Sequence, residues 1–170
     1  FESQDKQYVL KFVRFNKYVL PFWVRYIRGI KKGNDYYIRR FTHRTRSFKN
    51  TLKSYVFSYE KLKDQTGTIY VHLNKTNDLN KNVKISDRFG RSCRINLDNM
   101  SFMLQKKAKK LTSVMQDCVD NKDDKYLKEL MVSFLKLVDT MYGKKIINKD
   151  YNCVKNSGVY HSEVVGIDLG

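Results

Sequence analysis

Proline is nearly absent from this chain of 170 residues: Pro21 stands alone, beside one tryptophan, three cysteines and eight glycines. So little proline and glycine excludes collagen-like and Pro/Gly-rich low-complexity classes. Cys93, Cys118 and Cys153 are odd in number, far apart and without CxxC spacing, which excludes the even framework of a small disulfide-stapled domain. His43, His72 and His161 are equally scattered, so no four-ligand zinc cluster is spelled out. All three thiols are read as reduced, and an intracellular, reducing compartment is expected, with the nucleus or a nucleic-acid-containing particle favoured by the charge described next. No apolar run approaches the roughly 18 residues of a transmembrane helix. No basic–apolar–small-residue leader is read in the opening residues either.

Carboxylates are also scarce, with 17 Asp+Glu against 34 Lys+Arg, a formal net charge of +17. Hydrophobic residues at 41% and aromatics at 14% supply a packable core, unlike the composition of a disordered chain. The excess charge is graded: residues 1–58 carry net +11, 59–116 carry +7 and 117–170 carry −1. A concentrated positive field has polyanions as its default partner, so nucleic acid is the expected ligand class. The neutral last third suits packing or self-association, and a homo-oligomer through its helices is one expectation.

The hydropathy pattern predicts an α+β fold. Residues 8–46 read as β-structure, with Phe22–Arg28 and Tyr36–Arg46, rich in aromatic and β-branched types, flanking a Gly33-Asn34 turn signal. Further strands are expected at 55–59, 69–73, 83–88 and 92–97, giving a basic antiparallel sheet over about residues 8–97. Met100, Met103, Leu104, Ala108, Leu111, Met115 and Cys118 follow helical spacing, predicting an amphipathic helix over about 99–119 capped by Asp98. Leu127, Leu130, Met131, Phe134, Val138 and Met141 predict a second over about 123–142, stopped at Gly143. Residues 1–143 are read as one nucleic-acid-binding domain, and 144–170 as a tail with one strand, Val159–Leu169.

Chemistry concentrates where cations and rings alternate. Trp23, Arg25, Arg28, Lys31, Lys32, Tyr36, Tyr37, Arg39, Arg40, Phe41, Arg44 and Arg46 would share one hairpin. Cations there would track phosphates, and Trp23, Tyr36, Tyr37 and Phe41 would stack on exposed bases. The bland alternative makes the rings core and the arginines a solvated face. A second cluster, Lys84, Arg88, Arg91 and Arg94, surrounds Phe89 and Gly90 and suits a phosphate clamp or a plain basic turn. Lys106, Lys107, Lys109 and Lys110 offer further phosphate contacts or a solvated helix face. Asp117, Asp120, Asp123 and Asp124 lack the spacing of a calcium loop and read as caps and solvated charge. No nucleophile, zinc or nucleotide-triphosphate motif is present. A non-enzymatic, largely sequence-independent binder of single-stranded or structured nucleic acid is therefore expected, with no cofactor and no metal site. Viral structural, packaging and ribosome-associated basic proteins fit the same composition.

Two family resemblances accompany that reading. Lys84-Ile85-Ser86 through Arg94-Ile95-Asn96-Leu97, running into Asp98-Asn99-Met100, resembles the strand-then-helix layout of positive-cofactor and Whirly-like single-strand-binding proteins. That resemblance implies a curved antiparallel sheet holding unpaired strands. Val164-Val165-Gly166-Ile167-Asp168-Leu169-Gly170 resembles the first strand of ribonuclease-H-like folds, RuvC-type nucleases included. It implies that Asp168 binds metal if the segment is the beginning of such a domain in a longer nuclease.

Overall fold

The structure, a computed structural model, describes residues 2–3, 6–13, 31–144 and 153–167; for residues 2, 3, 6, 31–38, 40, 41 and 44 it describes the backbone alone. The elements are β1 (Glu2–Ser3), β2 (Lys6–Phe12), α1 (Lys31–Lys61), α2 (Lys63–Thr66), β3 (Thr68–His72), β4 (Asn82–Ser86) and β5 (Ser92–Asn96). A 3₁₀ turn at Leu97–Asn99 follows, then β6 (Phe102–Lys106), β7 (Lys109–Lys110), α3 (Leu111–Asp120), α4 (Asp124–Gly143), β8 (Ser157–Tyr160) and β9 (Glu163–Gly166). The α+β class holds. Strands β3, β4 and β5 and helix α4 lie where the sequence predicts them.

Three elements differ from expectation. Residues 31–61 form one helix, which replaces both the second strand of the expected basic hairpin and the expected strand at 55–59. Ile38, Phe41, Thr45, Phe48, Leu52, Tyr55, Tyr59 and Leu62 recur at alternating spacings of three and four, a helical period sustained for eight positions. That period outweighs the local β-preference of the rings. From Thr45 onward the positions withdrawn from solvent are 45, 48, 51, 52, 54, 55, 58 and 62, one continuous stripe.

The second difference lies at 102–106, where a strand occupies the first part of the expected 99–119 helix. This strand is flanked on both sides, in the sheet order β1-β2-β6-β3. A central strand covered on both faces lacks alternation: Phe102, Met103 and Leu104 are apolar in succession and Gln105 is buried too, a pattern that periodicity does not separate from a helix. The helix begins only at Leu111. The third difference is the tail, where the expected single strand 159–169 is a β8–β9 hairpin pairing Ser157 with Gly166 and Tyr160 with Glu163.

The chain divides into two compact units. The first comprises residues 1–11, 57–71 and 103–170. Its core is Leu62, Leu111, Val114, Cys118, Leu130, Leu137, Met141, Val159 and Val164. Leu111, Cys118, Leu130 and Met141 come from the expected stripes, whereas Val114 and Leu137 are buried outside them and Met131, expected inside, is exposed. Asp123 caps α4, its Oδ1 accepting the Tyr126 N–H at 3.0 Å. Buried Gln105 donates from Nε2 to the Thr66 and Gly166 carbonyls, tying the sheet to β9 without an orphaned polar atom. Strand β8 approaches so closely that a Cβ on Gly158 would stand 2.8 Å from both the Ala108 Cβ and the Lys109 carbonyl oxygen. The second unit comprises residues 12–56 and 72–102 and holds α1 to Val56 and the β4–β5 hairpin. No helix among the described residues is long and apolar enough to cross a membrane.

Helix α4 carries leucines in opposite settings. Leu130 is fully buried, whereas Leu135 is 63% exposed. Leu130→Ala is expected to lower the unfolding free energy by about 2–5 kcal/mol, and Leu135→Ala to change it by less than about 0.5 kcal/mol. Urea denaturation of both variants checks the assignment; equal losses would contradict it.

Candidate nucleic-acid interface

The β4–β5 hairpin is built by strict alternation. Its register pairs Val83 with Ile95 and Ile85 with Cys93 on one face, and Asn82 with Asn96, Lys84 with Arg94 and Ser86 with Ser92 on the other. Lys84 and Arg94 are therefore opposite each other and both exposed. Like charges placed directly across a strand pair oppose pairing. Residues 81–96 carry five cations, Lys81, Lys84, Arg88, Arg91 and Arg94, against the one carboxylate of Asp87.

Carboxylates hold both ends of this finger. At the tip, Asp87 Oδ1 accepts the backbone N–H groups of Phe89 (2.8 Å) and Arg91 (3.0 Å), while Oδ2 takes the Arg91 guanidinium at 2.7–2.8 Å. Gly90 closes the turn at φ +78° and donates to the Asp87 carbonyl at 3.1 Å. The Arg91 guanidinium holds the Asp87 carboxyl below its ordinary value; some desolvation opposes this, and the Phe89 and Arg91 N–H groups reinforce it.

At the base, Asp98 is buried and is a hydrogen-bond hub rather than the expected helix cap. Oδ1 accepts the Thr76 hydroxyl (2.9 Å) and the Leu79 N–H (3.0 Å), Oδ2 accepts the Asn80 N–H (2.9 Å), and its own N–H donates to Asn96 Oδ1 (2.8 Å). Thr76 also lies 3.0 Å from His72 Nε2, and His72 Nδ1 lies 2.8 Å from the Met100 carbonyl. The loop entering β4 is thus fastened to the residue that follows β5. The Leu97 N–H closes the pair on the Lys81 carbonyl at 2.9 Å.

Helix α1 carries a second cationic surface. Arg39, Arg46 and Lys53 follow one another at seven-residue intervals and are exposed, with His43 and Lys49 exposed between them. The line from Arg39 to Lys53 is about 21 Å long at 1.5 Å per residue. At the roughly 3.4 Å rise of a duplex strand that is about six nucleotide steps, and a more extended single strand covers it with fewer.

Of the residues singled out from the sequence, Lys84, Arg88, Arg91 and Arg94 are brought together on the finger, and Arg39 and Arg46 on one helix face. Lys31, Lys32, Tyr36, Tyr37, Arg40, Phe41 and Arg44 lie on the helix rather than on a strand, so the alternating hairpin surface expected of them does not form. Trp23, Arg25, Arg28 and Asp168 lie outside the described residues. Lys49 and Lys53 escaped the sequence reading, though their spacing from Arg39 and Arg46 signals them once the segment is read with helical period. Lys106, Lys107, Lys109 and Lys110 are exposed in and beside β6 and β7 of the first unit. Lys107 Nζ there donates to Gln7 Oε1 at 2.8 Å.

The first unit also contains a cavity of about 560 Å³, bordered by Lys107, Lys109, Asp117, Cys118, Tyr126 and His161 among others. Burial, then the nearby Asp123 and Asp117 carboxylates, push the Cys118 thiol up, so it is a protonated core group and not a thiolate nucleophile. Among the described residues no three His, Cys, Asp or Glu side chains converge as a metal site would require. Comparison with family models, with curated proteins and with solved structures finds no match to this chain.

The Asp98 hub gives a sign-definite pH dependence. Burial pushes its carboxyl up, but the Leu79 N–H, the Thr76 hydroxyl, the Asn80 N–H and the charge of His72 outweigh burial and hold it below its ordinary 3.8. A depressed folded value contributes stability above the unfolded value, and that contribution is lost as pH falls through the folded one. Exchange protection of the Leu79 and Asn80 amides is expected to be full at pH 6 and to collapse below pH 3.8. Asp98→Ala should remove it at every pH. Protection that survives in Asp98→Ala would show that the loop is held by something else.

Proposed function

We propose that this chain binds nucleic acid, with the β4–β5 finger and the exposed line of α1 as its phosphate-contacting surfaces. The observation that carries this reading is the finger itself. A two-stranded ribbon gains nothing in stability from placing Lys84 opposite Arg94, or from adding Arg88 to a tip whose one carboxylate is already taken by Arg91. A polyanion partner turns that arrangement into a binding surface, because each cation displaces counterions condensed on the phosphates. Arginine at the tip supports the same reading, since its planar fork pairs with phosphate oxygens through two parallel bonds. The contacts are to backbone charge, so binding is largely independent of sequence.

Binding of a fluorescent single-stranded oligonucleotide across a salt series tests this. With about four phosphates engaged, log K should fall with log salt at a slope of about −3, from roughly −0.7 per contact. The double variant Lys84→Gln with Arg94→Gln should flatten the slope by about 1.4, while Lys107→Gln should leave it unchanged. A salt-independent affinity would remove the reading.

A second reading has one observation behind it: Glu163–Gly166 is a strand whose Val164, Val165 and Gly166 are buried, as the resemblance to a ribonuclease-H-like first strand implies. On this reading the nucleic-acid surfaces serve a nuclease whose metal-binding carboxylate is Asp168. A chain extended beyond Gly170 should then cleave DNA or RNA with Mg²⁺, and Asp168→Ala should abolish cleavage while leaving binding intact. Cleavage that survives in Asp168→Ala would overturn it.

A further inference from the structure

The ring of Phe89 is 68% exposed at the finger tip, and the backbone that carries it is held by hydrogen bonds to Asp87. Asp87 fixes the Phe89 and Arg91 amides, and Gly90 supplies the positive φ. The guanidinium carbon of Arg88 lies 4.8 Å from the ring centroid and that of Arg91 5.6 Å. An exposed phenylalanine of this kind adds nothing to the core. Residues 86–92 contain no other apolar side chain, so the tip offers one flat ring among cations rather than a greasy patch. A membrane-inserting tip gains from several apolar groups, and this one has a single ring. A nucleotide needs one flat face for the base and cations for the phosphates beside it, which is the arrangement found.

We propose that Phe89 is a base-stacking residue: the finger tip takes one unpaired nucleobase onto the Phe89 ring, with the flanking phosphates held by Arg88 and by the Lys84–Arg94 pair. This rests on the nucleic-acid reading and sharpens it, because a base inside a duplex has no free face. The partner class is therefore single strands, loops and frayed ends. The Arg91–Asp87 ion pair serves as the fixed support of the tip, since both groups are already engaged with each other.

The test uses the full chain and two synthetic oligonucleotides of equal length and charge, one with normal bases and one in which every base is replaced by an abasic tetrahydrofuran. At one fixed salt concentration the unaltered chain should bind the base-bearing strand about 5- to 150-fold tighter, the range for one base–aromatic stack. Phe89→Ala should lose that preference and bind both strands with the weaker affinity. Phe89→Trp should keep the preference, and Phe89→Leu, apolar but not flat, should lose it. Arg88→Gln should weaken both strands by the same factor and keep the ratio between them.

Equal affinity of the unaltered chain for the two strands overturns the proposal while leaving the charge-based reading intact. So does a preference that persists in Phe89→Ala or Phe89→Leu. Failure to bind either strand even at low salt overturns the nucleic-acid reading itself. Binding to phosphatidylserine vesicles that depends on Phe89, with no discrimination between strands, would assign the ring to a membrane instead.

Discussion

A two-stranded hairpin is marginal in water on its own, and this one sets Lys84 against Arg94 in register. Its order depends on carboxylates at both ends. Asp98, withdrawn from solvent, gathers the loop that enters β4 and the residue that leaves β5. Asp87 does the same for the tip. Asp87 offsets only Arg91, and Asp98 is occupied by N–H and hydroxyl donors at the base, so Lys81, Lys84, Arg88 and Arg94 keep an uncompensated positive charge on the finger. The cations that remain are presented outward on a fixed scaffold, and that combination of rigidity and unbalanced charge underlies the functional reading.

The two units divide the work. The apolar cluster of α3, α4, β8 and β9 lies wholly within the first unit. There Leu130 and Leu137 fill the core, and Gln105 satisfies the polar groups enclosed beside it. The finger and the Arg39–Lys53 line both belong to the second. Burial stabilises the first unit, whereas hydrogen bonds to two aspartates organise the finger of the second. The two should therefore respond differently to acid, with the finger loosening when its carboxylates protonate.

The parts legible in the sequence are those where one periodicity dominates. Val83/Ile85 against Lys84/Ser86, with Gly90 between the runs, identifies the finger. The Leu127–Met141 stripe with Asp123 before it identifies α4. Strand β6 was not legible, because a strand covered on both faces has no alternation, and Met100, Met103 and Leu104 happen to fit a helix. Helix α1 was misread because its rings have high strand propensity residue by residue, while its period of three and four appears only over a window of about twenty. The same period carries the site: Lys53 joins Arg39 and Arg46 only when residues seven apart share a face, and Lys49 only when residues three apart do. The role of Asp98 was out of reach, since its partners Thr76, Leu79 and Asn80 are distant in sequence and meet it only through the loop.

On the proposed function, the second unit holds nucleic acid through its finger and helix line. Ultraviolet cross-linking of the chain to a thiouridine-bearing single strand, followed by peptide mapping, tests it most directly. Cross-links are expected on residues 84–94, with Phe89 foremost, and on 39–53. Cross-links confined to the first unit, at Lys106–Lys110 or around the cavity beside His161, would contradict it.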